Sequence, residues 1–470
     1  MGERLQGCWE RFRGCFKTRT RDGSAYGLAY LSGVLRMETN RHFAGIGRET
    51  GVSGQNLQHF MSASAWSGQA VCQQVEAELK ATPELVRGGV LLVDESAEEK
   101  ASAKSAGAGR QYNGRLGKVE MSQVGVLLSY VNLKVAQGFW SWIDGRLFLP
   151  EAWFGVDREA LGKRLGIPKG RGFKTKVELA WEMIEAAITH GVPFEIVGFD
   201  TLYGRSGWLR AQLRNAGALY MAEVPVDTEL YLEKPLLGIP ERLSKCGRPP
   251  SKVQVLSGEA VRVDSLRAQV PWQNLRLRTT ERGELCDPFA ARRVWTVYEG
   301  EAVEEWLVLR REANGKYSYA LCNAPADKPL EHLAEWKCQR YFIERSNQEA
   351  KSELGWDELQ AQKYPAWEHH LALTVLASWF VAQTKFEWAR DYPRDPKLLQ
   401  PLGTDQLPAL SVANVRLLLR AVMPLQRLSV KQATDLAIEH LLNRTRSRKS
   451  RLKKQRLAKE PVAYHGLAQM

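Results

Sequence analysis

GGVLLVDES, residues 88–96, is a short apolar run that stops at a carboxylate, and its reading decides the fold. The aliphatic stretch Val90 to Val93, bounded by glycine before it and Asp94 after it, fits a strand buried on both faces. Two β-rich segments follow, SQVGVLLSYVNL (122–133) and GFWSWIDGRLFLP (138–150), separated by Ala136, Gln137 and Gly138, which predicts antiparallel strands joined by a turn. The stretch before them, EEKASAKSAGAGRQYNGRLGKVE (98–120), is too polar and glycine-rich for core and is expected to be a loop over the end of the strand that carries Asp94.

A second apolar strand with the same ending, PFEIVGFD (193–200), comes after KTKVELAWEMIEAAITH (174–190). That segment is an amphipathic helix with Leu179, Met183, Ile184 and Ile188 on its buried side. Then come a helix, RSGWLRAQLRNAG (205–217), stopped by Gly217, and a strand, ALYMAEVP (218–225). Strands first, then helix and strand in alternation, predict an α/β fold built on a mixed sheet flanked by helices.

Upstream, residues 1–85 repeat apolar positions at helical spacing and predict an N-terminal helical, DNA-binding domain. Within it FAGIGRETGVSGQNLQHFM (43–61) fits a helix-turn-helix, with Gly51 at the turn, Ser53 as cap, and Ile46, Val52, Leu57 and Phe60 inward. Gln55, Asn56, Gln58 and His59 then face out, where small polar side chains suit phosphate and base edges.

Downstream, residues 86–224 are the first part of the core, and 225–327 change rhythm to short β-type runs. These include SKVQVL, RRVWTVYEG, EEWLVLRRE and KYSYALCN, with a basic cluster at Lys245, Arg248, Lys252, Arg292 and Arg293, which predicts a β-rich insertion. The core resumes over 328–395. There HHLALTVLASWFVAQTKFEWAR (369–390) is read as a buried core helix, because His369, His370, Gln383 and Lys385 argue against a membrane span. A helical segment (396–443) and a basic tail (444–470) complete the order, the tail opening with eight basic residues from Arg444 to Arg456, a good phosphate grip.

Composition narrows the class. The chain has 470 residues, 44% hydrophobic and 25% charged, as in folded proteins, with no apolar run long enough for a bilayer span and no apolar signal-peptide core at its start. A cytoplasmic, nucleoid-associated location is the expectation. Seven scattered cysteines with no C-x-x-C pair suggest neither zinc nor disulfides. The net charge of +13 gives a long-range field that gathers polyanions.

The chemistry is sought where carboxylates end apolar strands, at Asp94 and Asp200, and on RYFIERSNQEAKSELGWD (340–357), which reads as one helix carrying Glu344. Ile343, Leu354 and Trp356 can face a core, while Arg340, Glu344 and Lys351 share one side. Two strand-end carboxylates and a third on a helix suit a pair of Mg²⁺ or Mn²⁺ ions about 4 Å apart, which activate an attacking hydroxyl and stabilise a leaving oxygen. Glu95, Glu98 and Glu99 compete with Asp94, and Glu349 and Glu353 with Glu344. Position favours Asp94, which directly ends the apolar run, and Glu344, which follows Ile343; Glu349 and Glu353 can point outward.

These blocks carry a resemblance. VDES (93–96) with GRQYNGRLGKVEMSQVGV (109–126), VGFDTLYG (197–204) and RYFIERSNQEAKSELGWDELQAQKYPAWEHH (340–370) resemble the DDE transposases of bacterial insertion sequences, in particular the insertion sequence 701 group of the insertion sequence 4 superfamily. The resemblance implies an RNase H-like catalytic fold with an insertion between the second and third acids. It also implies metal-holding, catalytic roles for Asp94, Asp200 and Glu344. The superfamily's Tyr-x2-Arg-x3-Glu-x6-Lys signature falls on Arg340, Glu344 and Lys351, with Lys337 at the tyrosine position. The resemblance thus implies that Arg340 and Lys351 hold terminal DNA phosphates and that Lys337 can take the tyrosine's phosphate contact. Trp295, Trp306 and Trp336 are candidates for stacking a flipped base.

The expected function is metal-dependent cleavage of double-stranded DNA at inverted-repeat ends and strand transfer into a target, by a homodimer on DNA. A domesticated DNA-binding protein of the same fold and a structure-selective nuclease are the alternatives.

Overall fold

The computed structural model describes residues 1–392 except 115, 242–249 and 281–282, then residue 400, residues 409–423, and scattered positions from 430 to 453. The chain divides into two compact units, Met1–Met423 and Pro424–Met470. Part of the basic run falls outside the described residues of the second unit; Arg446, Arg448, Lys449 and Lys453 are exposed helical positions.

The first unit opens with helices α1 (Gly2–Phe12), α2 (Ser24–Arg36), α3 (Phe43–Thr50), α4 (Gly54–Ser62) and α5 (Gly68–Ala81). Helices α3 and α4 form the expected pair around Gly51, whose φ of 73° suits a residue without a Cβ. Ile46, Leu57 and Phe60 are buried, whereas Gln55, Asn56, Gln58 and His59 are exposed. Ser53 occupies the N-cap position but makes no capping bond, unlike His42, whose side chain accepts from the Gly45 amide at the start of α3.

The core then runs β1 (Gly89–Glu99), β2 (Gly109–Asn113), β3 (Lys118–Asn132), β4 (Phe139–Phe148), α6 (Val156–Leu165), α7 (Lys176–Thr189), β5 (Ile196–Phe199), α8 (Thr201–Gly204), α9 (Gly207–Asn215) and β6 (Tyr220–Val224). β3 pairs antiparallel with both β1 and β4, whereas β1, β5 and β6 are parallel neighbours. This gives the core order β4-β3-β1-β5-β6, an RNase H-like mixed sheet with helices on its faces. α7 begins with a full capping box between Thr175 and Glu178, which fixes where the helix starts.

Two expectations change. β1 does not stop at Asp94 but continues to Glu99; what stops there is its pairing with β5, whose last register pair is Val93 with Phe199. Antiparallel pairing with β3 carries the rest of β1, from Asp94 opposite Leu127 to Glu99 opposite Ser122. The stretch expected to be a loop also contains β2, which pairs with Lys118–Ser122 of β3. Its polar side chains are compatible with a strand because β2 ends the sheet on that side.

Residues beyond β6 form β7 (Glu229–Tyr231), β8 (Leu236–Gly238), β9 (Gln254–Ser257), β10 (Ala260–Arg262), β11 (Gln273–Thr280), β12 (Gly283–Tyr298), β13 (Glu301–Arg311) and β14 (Tyr317–Cys322). Lys245 and Arg248 of the expected basic cluster lie outside the described residues. β14 pairs with β6, so the strands β12, β13 and β14 extend the core sheet rather than forming a separate body, while β8 and β9 make a small sheet of their own.

Helices α10 (Leu330–Gln339), α11 (Tyr341–Ser352), α12 (Tyr364–Asp391) and α13 (Val412–Val422) follow. α12 is a buried core helix lying on β4, close enough that a Cβ at Gly145 would stand 2.9 Å from Leu371. No helix among the described residues is long and apolar enough to cross a membrane.

Candidate active site

Alternation along the strands selects one face of the sheet. Val90 and Leu92 of β1, Ile196 of β5 and Met221 of β6 share a core cluster with Leu333, Trp336, Phe342 and Ile343 of α10 and α11. Side chains two residues further along a strand return to the same face. Those positions are Asp94 after Leu92, Asp200 two beyond Gly198, and Glu223 after Met221. Three neighbouring parallel strands thus carry a carboxylate on the face that α10 and α11 cover. Glu95 falls on the other face, where its carboxylate accepts from Lys176 Nζ of α7 at 3.0 Å and Tyr203 OH of α8 at 3.1 Å.

The helices bring a polar stripe across this face. Lys337 Nζ lies 3.2 Å from Glu223 Oε1, and Arg340 Nε lies 3.0 Å from Glu223 Oε2. Arg340 Nη2 donates to Glu344 Oε1 at 2.6 Å. Asn347 Nδ2 donates to Asp94 Oδ2 at 3.5 Å while its Oδ1 accepts from Trp142 Nε1 at 3.0 Å. Lys351 Nζ donates to Ala97 O and pairs with Glu98, both at 3.1 Å. Glu344 therefore stands on the helical turn between a contact to β6 and a contact to β1, the two strands that flank β5 and Asp200.

Charge is crowded here. Burial pushes the Asp94 carboxyl up from 3.8 to about 8, with the charges of Asp200 and Glu95 adding to the effect and Arg340 opposing it. Asp200 is also raised, by burial and then by Glu95, although its Oδ1 caps α8 by accepting from the Leu202 amide at 2.9 Å. Burial would raise Glu223 too, but Lys337 and Arg340 outweigh it and hold that carboxyl below its ordinary range. Arg340 is kept firmly protonated because Glu223, Glu344 and Asp94 together overcome its burial.

The sequence-predicted residues thus fall into two groups. Asp94 and Asp200 stand at the ends of neighbouring strands, where the charge of Asp200 adds to the rise of the Asp94 carboxyl, whereas the half-exposed Glu344 is turned to Arg340. Among the described residues no three His, Cys, Asp or Glu side chains gather closely enough to hold a metal ion. The donors nevertheless suit one: paired carboxylate oxygens whose repulsion a hard divalent cation relieves. Lys337, read as a phosphate contact, has a side chain only 1% exposed and is bound to Glu223. The helix expected over 340–357 ends at Ser352, and Gly355 turns the chain with φ 67°. Glu349 does not point outward: it accepts from Trp140 Nε1 at 2.9 Å and pairs with Arg345. Glu353 pairs with Arg416. Of the tryptophans, Trp336 is buried, Trp306 donates to Pro325 O, and Trp295 lies under the Lys234 ammonium.

A model of the family described as DDE superfamily endonuclease matches residues 11–284. The chain belongs to that family. The match includes Asp94 and Asp200 on their neighbouring strands and ends before α11. A stretch of 153 residues is 29% identical to a protein named "Probable transposase for insertion sequence element IS701" from Microchaete diplosiphon, covering 33% of this chain and 36% of that one. The chain thus matches about a third of that relative's length.

Glu223 and Asn347 are the residues that sequence reasoning passed over. Glu223 was legible in principle, because the alternation Met221, Glu223 repeats that of Leu92, Asp94. Asn347 sits one turn beyond Glu344 on the same helix stripe, but nothing in its neighbours marks it as a partner of Asp94.

Proposed function

We propose that the chain is a metal-dependent transposase that cuts double-stranded DNA at the inverted-repeat ends of its element and joins the freed 3′ hydroxyl to target DNA. Asp94, Asp200 and Glu344 are the acids that hold two Mg²⁺ (or Mn²⁺) ions. One observation carries the reading: Asp94 and Asp200 follow the last paired residues of adjacent parallel strands, on the face that α11 covers. Bound divalent ions supply Lewis acidity to the attacking and leaving oxygens of an in-line displacement. Arg340 offers a planar N–H edge to a phosphate, and Lys351 an ammonium, once each leaves its carboxylate partner. The Glu95 amide holds one oxygen of the Asp94 carboxylate at 2.8 Å, and Asn347 steadies the other from 3.5 Å.

The exposed stripe Gln55, Asn56, Gln58 and His59 on α4 supports the reading of residues 1–85 as the part that reads DNA, with 86–224 and 328–395 as the catalytic core around the 225–327 insertion. Pairing of two element ends calls for a homodimer on DNA, working in the cytoplasm at the nucleoid.

The test is a cleavage and joining assay with duplexes copied from the DNA bordering the gene and Mg²⁺. Cleavage followed by strand transfer, lost in Asp94→Asn, Asp200→Asn and Glu344→Gln, is the expected result. Cleavage without joining makes the chain a structure-selective nuclease, and binding without cleavage makes it a DNA-binding protein that has lost catalysis.

A further inference from the structure

We propose that Glu223 is a positioning residue that keeps Glu344 turned away from Asp94 and Asp200 until a substrate phosphate claims Arg340. The inference rests on the reading of Asp94, Asp200 and Glu344 as the acids of one site. Glu223 divides its carboxylate between two cations, with Oε1 on Lys337 Nζ at 3.2 Å and Oε2 on Arg340 Nε at 3.0 Å. A lysine ammonium as deeply buried as that of Lys337 requires a fixed anion beside it, so Glu223 cannot swing away without stranding a charge.

The guanidinium is planar, so engaging its Nε fixes the direction of its other N–H groups. Nη2 is thereby aimed at Glu344 Oε1, 2.6 Å away. The chain of contacts Lys337–Glu223–Arg340–Glu344 is a latch: its first three members are largely buried and its last is 50% exposed at the rim. A phosphate oxygen takes the same kind of N–H edge that Glu344 now occupies, so DNA and Glu344 compete for Arg340. Once displaced, Glu344 is free to turn from the helical stripe toward the acids of β1 and β5. Adding its negative charge there is favourable only with a cation present. DNA and divalent metal therefore bind with positive coupling, and the free protein holds metal weakly.

The test measures Mn²⁺ affinity by titration calorimetry for the full chain, alone and bound to a duplex copied from the DNA bordering its gene. Wild type is expected to bind Mn²⁺ at least about fivefold more tightly with the duplex, the lower end of ordinary coupling between two sites. The double variant Glu223→Gln, Lys337→Met leaves no stranded ammonium. It is expected to bind Mn²⁺ more tightly than wild type without DNA and to lose most of the DNA effect. Glu223→Asp keeps the charge beside Lys337 but shortens the arm to Arg340, and is expected to shift Mn²⁺ affinity in the same direction. A DNA effect that persists at wild-type size in both variants overturns the proposal, as does a wild type whose Mn²⁺ affinity ignores DNA. Asp94→Asn separates the two levels of inference: if it binds Mn²⁺ like wild type, the assignment of the acids has failed and the latch falls with it. If it loses Mn²⁺ while the Glu223 variants behave like wild type, the latch alone has failed.

Discussion

Asn347 reaches from α11 to Asp94, Nδ2 to Oδ2 at 3.5 Å, and is itself held by the indole N–H of Trp142. A neutral amide in this position orients a carboxylate without cancelling its charge. Asn347→Ala should therefore lower the cleavage rate about 10- to 100-fold, the usual effect of removing a partner that orients a metal-holding group. Circular dichroism should show the fold retained, and rescue by Asn347→Gln would point to the amide rather than to helix packing. A rate equal to wild type would remove Asn347 from the mechanism.

The acids also leave a signature in stability. Folding raises the Asp94 carboxyl from 3.8 to about 8, so the folded chain binds that proton more tightly than the unfolded one. The resulting stability is fully present below 3.8 and drains away as pH climbs through about 8. Metal-free protein in a chelating buffer should show a melting temperature that falls across this window, and Asp94→Asn should flatten the fall. Mg²⁺ in large excess, as weak binding to the free protein requires, should raise the melting temperature at the alkaline end more in wild type than in Asp94→Asn, by mass action on the folded state.

Glu349 is expected to matter for stability and not for chemistry. Its side chain is 13% exposed and satisfies both Trp140 Nε1 and Arg345, while the Lys385 ammonium lies 3.8 Å from the centre of the Trp140 ring. Glu349→Ala leaves a partly buried indole N–H without its acceptor, which costs about 1–3 kcal/mol. Urea denaturation should record that loss, with the cleavage rate per folded molecule unchanged.

A buried ion pair ties α9 to β13. Glu305 is 0% exposed and holds Arg210 at 3.0 Å, with the hydroxyls of Tyr220 and Thr296 on the same carboxylate. Glu305→Ala strands the Arg210 charge and should destabilise the chain by about 3–5 kcal/mol. The same denaturation experiment checks it, and a loss below about 1 kcal/mol would mean water replaces the carboxylate.

The parts of the fold that were legible in the sequence are those set by local pattern. The apolar runs before Asp94 and Asp200, the buried face of α7 with Leu179, Met183 and Ile184, the glycine stop after α9 and the β-rich stretch between them and α10 all announce themselves within a few residues. The misjudged parts depend on which distant segments become neighbours. β2 and the far half of β1 are strands only because β3 is long enough to pair with both, and their own residues look like loop. Lys337 reads as a phosphate contact with no sign of the Glu223 that β6 sets beside it, and Glu349 reads as pointing outward until β4 supplies Trp140.

The pairing of β14 with β6 has a consequence for how such a chain can change over time. An insertion hung on flexible connections can be trimmed or lost with little effect on its host. Here four consecutive register pairs, from Tyr319 with Val224 to Cys322 with Met221, close the border of β6. Cutting the insertion out would bare that border's backbone amides and carbonyls beside the strand of Asp200, inviting another chain to add itself there. The segment is therefore expected to vary most at its far end, around β8 and β9, and least where β14 meets β6.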